Sequence, residues 1–198
     1  TGNQRLADVI LRKDWPLVAS VREKLERLLR TYYFVGGMPK VVDTFVGTHD
    51  YSLVRQEQKA LLAAYDNDFS KHAPVNIVPR IRLLWNSVVA QLSKENKKFI
   101  FGLVKEGARA REYEVALEWL FDAGMLLRVH RTKRGELPLK AYADMGAFKI
   151  FLLDVGLLAA MAEVPASAMI EKESLLLHGF KGGLTEQYVM QQMHSQGH

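Results

Sequence analysis

The fold is decided by Tyr32-Tyr33-Phe34-Val35-Gly36-Gly37-Met38-Pro39-Lys40-Val41-Val42. Gly36 and Gly37 can adopt the left-handed conformation that ends a helix. Pro39 has a fixed φ and no N–H, so it suits the first turn of the following helix. The apolar residues before this stretch recur at the spacing of one helical face, at Val18, Val21, Leu25, Leu28, Leu29 and Tyr32. The stretch therefore predicts a tight corner between two helices.

The composition is that of an ordinary globular protein and excludes several kinds of site. Of 198 residues, 48% are hydrophobic and 25% are charged, which is enough to build a core. No apolar run reaches the ~18–20 residues that span a bilayer, and the polar start of the sequence is unlike a signal peptide. The chain has no cysteine, which excludes disulfides and thiolate metal sites. We therefore expect a cytoplasmic protein without a membrane partner.

Positive charge is concentrated in the middle of the chain. The net charge is +5, and residues 94–140 contain 11 Lys and Arg against 7 Asp and Glu. Such an excess is typical of a surface that meets an anionic partner. It is equally typical of a domain whose charge is balanced by an acidic neighbour, and the charge alone leaves both interpretations open.

The pattern of apolar residues predicts a mainly α fold in three segments. Residues 1–76 are expected to form a helical, lid-like domain, because helix-type spacing recurs there and strand-type alternation does not. The stretch 73–79 contains two prolines and predicts a domain boundary. Residues 79–164 form the second domain, and residues 170–198 begin a third, truncated domain whose helix needs a partner for its apolar face.

The order of elements in residues 79–164 is that of a winged-helix domain. A basic tip at 132–136 separates the two arms of the expected hairpin. The expected elements are a helix at 81–92, a short strand at 98–101, a helix at 109–123, hairpin arms at 126–131 and 137–142, and a third strand or short helix at 148–153.

Several ordered blocks of the sequence resemble a group of prokaryotic AAA-type ATPases that carry a C-terminal domain of unknown function. The resemblance starts with the Gly36-Gly37-Met38-Pro39 corner and covers nearly the whole chain. It implies a helical lid, then a winged helix, then the start of a domain similar to restriction endonucleases. The other blocks are 61–71, 108–113, 116–125, 138–142, 148–158 and 183–189.

This resemblance implies a role for the corner. Signalling NTPases of the wider group have a similar Gly-x-Pro corner in the lid, where the proline rests against the bound nucleotide. By resemblance Pro39 would face the nucleotide, while Gly36 and Gly37 would shape the turn. ATP and Mg²⁺ would bind the ATPase core of the parent protein, which is the expected partner of this chain.

The sequence lacks the residues that ATP hydrolysis requires. A phosphate-binding loop needs Gly-x-x-x-x-Gly-Lys-Ser/Thr, and the glycines at 179–183 have another spacing. We expect Asp154 to be a capping residue at the boundary of an element, and Glu186, which matches the first acid of the nuclease-like domain, to be solvated. His194 and His198 have helical spacing but are not expected to hold a metal. We therefore predict a non-catalytic regulatory fragment with no cofactor of its own.

The alternative is a winged-helix DNA-binding module that contacts phosphates through its basic wing. Acids on the helix at 109–123 argue against it because a duplex would repel them, and Trp119 on the outer face of this helix favours packing against protein. A third hypothesis is an interaction protein of the toxin–antitoxin or transcription-regulator kind. The candidate DNA contacts are Arg109, Arg111, Arg128, Arg131, Lys133 and Arg134.

Overall fold

The computed structural model describes residues 4–93, 98–170 and 179–197, in which helices dominate and one small sheet is present. The prediction of a mainly α fold with a β-hairpin is confirmed. Within these ranges no helix is long and apolar enough to cross a membrane. The elements are α1 Gln4–Leu11, α2 Trp15–Ser20, α3 Arg22–Val35, α4 Pro39–Thr48, α5 Tyr51–His72, α6 Val78–Ser93, α7 Ala110–Asp122, β1 Leu126–Thr132, β2 Ala143–Leu152, α8 Val155–Met161, α9 Ala166–Ile170 and α10 Lys181–Ser195.

The corner between α3 and α4 is confirmed. The helix α3 ends at Val35, and Gly36 takes φ +76° and ψ −162°, a conformation almost exclusive to glycine. The helix α4 begins at Pro39, which has no N–H, and an N–H in a first turn has no partner within its helix. The helix before the corner is shorter than its apolar pattern predicts, because Val21 interrupts the helical conformation between α2 and α3. We refer to Gly36–Pro39 as the glycine corner.

One hydrophobic core runs through all three predicted segments. Phe34 and Phe69 from the first segment share it with Leu120 and Leu157 from the second and with Leu184 from α10. The helix α3 packs on α8 and α9, and α10 packs on α8, α6 and β2. The apolar face of α10 thus has the partner that it requires, and the core continues across the predicted boundary at 73–79.

The short strand expected at 98–101 is wrong. Residues Phe101–Leu103 form a 3-10 turn, and one backbone hydrogen bond of 2.6 Å, from Phe99 N to Phe148 O, joins this stretch to β2. The side-chain amide of Gln91 takes the place of a neighbouring strand. It accepts from Ile100 N at 3.0 Å and donates to Ile100 O at 2.8 Å. Local β propensity could not reveal this partner because the partner is a side chain of α6.

The hairpin exists, but its second arm lies further along the chain than predicted. The strand β2 pairs antiparallel with β1, from Leu126 opposite Leu152 to Thr132 opposite Ala143. The expected arm at 137–142 instead ends in a 3-10 turn, Leu139–Tyr142, because Pro138 has no N–H to donate to a ladder. The stretch 148–153 largely continues β2 and is not a third strand. We call the exposed connection, residues 133–142, the hairpin tip.

The start of α10 makes a contact that tests this packing. A Cβ added at Gly183 would lie 2.3 Å from Leu92 O, a backbone atom that cannot move aside. We expect Gly183→Ala to destabilise the fold by about 1–3 kcal/mol, as overpacking does. Its neighbour Gly182 has open space around the added Cβ, so Gly182→Ala should be neutral or slightly stabilising. Urea denaturation followed by circular dichroism measures both, and equal midpoints for the two variants would contradict the packing of α10 on α6.

Candidate functional site

The glycine corner is partly at the surface. Gly37 and Pro39 are exposed, whereas Gly36 is buried. The ring of Pro39 is thus accessible to a ligand or to another protein, at the start of α4. Gly36 faces inward and shapes the turn, which agrees with the role that the resemblance gives it. The nucleotide-facing role of these three residues stays a prediction.

Asp154 lies directly beneath the glycine corner. Its side chain is 2% exposed, and its Oδ2 accepts a hydrogen bond of 2.7 Å from Gly37 N. Its Oδ1 accepts from Leu157 N at 2.9 Å and caps α8. The predicted capping role of Asp154 is therefore confirmed. Its second bond, which ties the corner to the start of α8, was not predicted.

Two glutamines complete this polar cluster. Gln191 of α10 accepts from Val155 N at 2.9 Å and donates to Asp154 Oδ2 and to the Tyr32 hydroxyl, both at 3.2 Å. Gln58 of α5 is fully buried and donates to Phe34 O at 2.7 Å and to Val35 O at 3.2 Å. These side chains satisfy backbone groups that the turn leaves unpaired. Sequence reasoning missed both, because an isolated glutamine on a helix carries no signal of its partner.

Burial controls the electrostatics of the cluster. It raises the pKa of Asp154 above its ordinary value, and the donors Gly37, Leu157 and Gln191 offset part of the rise. Burial also raises the pKa of the Tyr32 hydroxyl, and the nearby Asp154 carboxylate adds to the effect. The cluster therefore holds a carboxylate whose charge is supported by N–H donors and by no cation within the described residues.

An apolar groove of about 780 Å³ opens beside the glycine corner, between α3, α4 and α10. The ring of Tyr188 forms one wall and packs against Tyr32 and Tyr33, with centroids 5.7 and 5.3 Å apart. Leu28 and Val46 are exposed at its edge. Apolar surface of this kind is typical of protein–protein contact.

Three of the six candidate DNA contacts already have carboxylate partners. Arg128 pairs with Glu118 of α7, and its guanidinium lies 4.5 Å from the centre of the Phe121 ring. Arg131 pairs with Asp144 across the hairpin at 2.5 Å. Arg134 approaches Glu136 at 4.0 Å. These ion pairs reduce the positive charge that the hairpin presents to a polyanion.

The other three candidates are exposed and form no ion pair with any described residue: Arg109, Arg111 and Lys133. Arg109 precedes α7, and its backbone N–H donates to Glu112 Oε2 at 3.2 Å in a capping box. The expected exposure of Trp119 is wrong. Its ring is half-buried and packs on Phe69 of α5, with the ring centroids 5.8 Å apart, so this indole contacts the core of its own chain.

The remaining candidate groups show no metal-binding arrangement. Glu186 pairs with Lys149 at 2.6 Å on the surface. His198 lies outside the described residues, so the predicted spacing with His194 cannot be compared. Among the residues that the structure describes, no group of three or more potential ligands is close enough to hold a metal ion.

Comparison with known proteins gives a family and no activity. The family model described as "Domain of unknown function (DUF8612)" matches residues 26–168. This match contains the glycine corner, Asp154 and the hairpin. No curated protein and no solved structure matches the chain.

Proposed function

The chain belongs to the DUF8612 family, and we propose that it is the non-catalytic regulatory part of an AAA-type ATP-binding protein. It couples the nucleotide state of an ATPase core to a winged-helix region and to the nuclease-like region that follows. The observation that carries the proposal is the bond from Gly37 to Asp154, because it joins the corner assigned to the nucleotide with α8 and α10. In this proposal ATP and Mg²⁺ bind the core and not this chain, and the parent protein is cytoplasmic.

The glycine corner suits such coupling because it packs closely on Asp154 and on the start of α8. A Cβ at Gly36 would lie 2.1 Å from Asp154 Oδ1, and one at Gly156 would lie 2.5 Å from Val35 O. A movement of α4 that carries Gly37 with it therefore shifts Asp154 or breaks the hydrogen bond between them. A ligand that prefers one position of α4 then biases α8 and α10 as well.

The surface around the corner supports contact with a core. Pro39 is exposed at the start of α4, and the apolar groove of α3, α4 and α10 adjoins it. An ATPase core could thus contact Pro39 and fill the apolar groove at the same time. The hairpin gives weaker support to the DNA-binding alternative, because Arg128, Arg131 and Arg134 are offset by carboxylates.

Replacing Pro39 tests the proposal in the protein translated from the complete gene. We expect Pro39→Ala to change the affinity for ATP or ADP by about fivefold or more, a coupling typical of linked sites, with unchanged circular dichroism. The control is Pro79→Ala, which removes an exposed proline from the first turn of α6 and should leave both affinities unchanged. Titration with a fluorescent nucleotide measures them.

Two results would contradict the proposal. If the complete protein binds neither ATP nor ADP, the chain does not serve an ATPase core. If it binds them and Pro39→Ala behaves like Pro79→Ala, the glycine corner is structural and does not sense the nucleotide.

A further inference from the structure

We propose that the outer edge of β1 is a docking site for an extended, acidic segment of another protein, which adds to the hairpin as a third strand. The segment carries apolar side chains at every second position. The site is separate from the glycine corner, and the proposal does not rest on the function proposed above.

The hydrogen bonds of β2 show which residues of the hairpin point outward. Gln187 of α10 accepts from Leu152 N at 2.9 Å and donates to Leu152 O at 2.6 Å. Phe148 O accepts from Phe99 N. In an antiparallel pair, two residues that lie opposite each other direct their backbone groups either both inward or both outward. His130 lies opposite Phe148, so it points to the outer edge of β1, and so does every second residue before it.

The outer edge of β1 is open at Arg128 and His130. The outward-pointing N–H and C=O groups of these two residues form no hydrogen bond with any residue that the structure describes. Arg128 is exposed as a residue although its side chain is only 32% exposed, so its main chain is the more accessible part. This edge therefore offers two donors and two acceptors to an extended backbone, the pattern that strand addition uses.

An apolar cleft of about 740 Å³ adjoins β1 and lies between the hairpin and α10. Val129 contributes to it from β1, and Val189 and Met193 contribute from α10, all three exposed. Successive side chains of a strand alternate between the two faces of its sheet. Every second side chain of an added strand therefore lies on the face of Val129 and can contact this apolar surface. The cleft is the reason why the segment carries apolar residues at alternate positions.

The charge of the hairpin favours an acidic segment. Residues 126–152 contain six Lys and Arg against two Asp and Glu. Glu118 pairs with Arg128, and Glu186 pairs with Lys149. Lys181, which lines the cleft, forms no ion pair with any described residue. Positive charge therefore remains in excess beside the open edge, and carboxylates on the segment complement it.

Two other occupants match the edge less well. Pairing of β1 with β1 of a second copy would set Arg128 and His130 against the same basic residues, and like charges directly opposite each other destabilise a sheet. The phosphate groups of DNA offer acceptors, so they leave the outward carbonyl groups of β1 without a donor. An extended polypeptide supplies both donors and acceptors.

A labelled peptide tests the proposal with the 198-residue chain. The probe is fluorescein-labelled Val-Glu-Val-Asp-Val-Glu-Val with an amidated C-terminus, and fluorescence anisotropy should give a Kd of about 0.1 mM or lower. Arg128→Pro removes an outward N–H, a position at which an edge strand tolerates proline, and should weaken binding at least about tenfold. Arg128→Ala removes the same side chain but keeps the N–H, so it should bind within about threefold of the wild type. Circular dichroism checks that both variants are folded.

N-methylated peptides give a readout that does not depend on the folding of a variant. One peptide is methylated at the three acidic residues and the other at three valines. Only one of these alternate sets directs its N–H groups to β1, so one peptide should bind at least about tenfold more weakly than the other. Replacing the acids by Gln and Asn should weaken binding at least about threefold.

Several results would overturn the proposal. They are a probe that does not bind, equal affinities of the two methylated peptides, equal affinities of the acidic and amide peptides, and a folded Arg128→Pro that binds like Arg128→Ala. A wild-type dimer that Arg128→Pro dissociates, without peptide binding, would assign the edge to a second copy. Binding of duplex DNA in place of the peptide would assign the basic hairpin to nucleic acid.

Discussion

Gly36→Ala is expected to be among the most destabilising single substitutions in the described chain, with a loss of about 3 kcal/mol or more. Two causes act together. An alanine would have to adopt φ +76° and ψ −162°, a region that side chains avoid at a cost of about 1–3 kcal/mol. Its Cβ would also lie 2.1 Å from Asp154 Oδ1, so the buried carboxylate would have to leave its donors. Urea denaturation followed by circular dichroism measures the loss.

Gly124→Ala separates the two causes. Gly124 has φ +67°, but an added Cβ there meets no atom within 4 Å. The free energy of unfolding that Gly124→Ala loses should therefore reflect the backbone alone, at about 1 kcal/mol. A similar loss for Gly36→Ala and Gly124→Ala would mean that Asp154 does not close off the space beneath the corner.

A double-mutant cycle identifies the atom responsible. Combining Gly36→Ala with Asp154→Ala removes the carboxylate that the new methyl group would strike. The double variant should therefore lose less free energy than the two single variants together. Strict additivity would assign the cost of Gly36→Ala to the backbone and to other neighbours.

The glycine corner shows how far local sequence can predict this fold. Gly36, Gly37 and Pro39 predict where one helix ends and the next begins, because those signals depend on backbone preferences of single residues. The capping role of Asp154 could be predicted for the same reason. The bond from Gly37 to Asp154 spans 117 residues, and no periodicity relates two such positions.

The wrong predictions have the same origin. The stretch at 98–101 is rich in β-formers, but Gln91 of α6 satisfies the backbone of Ile100 where a strand would have done so. The sequence predicts an exposed Trp119 because this residue lies outside the apolar stripe of its helix. The pattern of one helix does not show which other element packs against its remaining faces. In the fold α5 brings Phe69 against Trp119. Tertiary partners decided both cases, and a single sequence does not show them.

The sequence shows the arginines of the hairpin one by one but does not show the carboxylates with which they pair. The sequence predicts Arg128 and Arg131 as candidate DNA contacts on a hairpin. The fold places Glu118 and Asp144 beside them, because α7 and the two strands meet there. Pairing leaves a smaller set of free charges, of both signs, and it is this remainder that a partner would meet.

Asp154→Ala is expected to destabilise the fold by about 2–4 kcal/mol. Three donors, at Gly37, Leu157 and Gln191, would lose the buried carboxylate that accepts from them. Hydrogen bonds to a charged group contribute about 1.5–3 kcal/mol each before relief of the buried charge is counted. The control is Asp50→Ala, which removes the cap of α5 at an exposed position and should cost much less. Denaturation of the three proteins by urea measures the difference.

The pH dependence of Asp154 distinguishes burial from hydrogen bonding as the dominant influence on its carboxylate. Burial raises its pKa in the folded state, so the folded chain binds a proton more readily than the unfolded chain, whose aspartates titrate near about 4. The stability that Asp154 contributes is therefore fully present below that pH and is lost as pH rises through the raised pKa. Asp154→Asn cannot titrate there, so the stability of the wild type relative to this variant should increase as pH falls. A relative stability that instead increases as pH rises would mean that the N–H donors at the glycine corner outweigh burial, and that the carboxylate is held in its charged form.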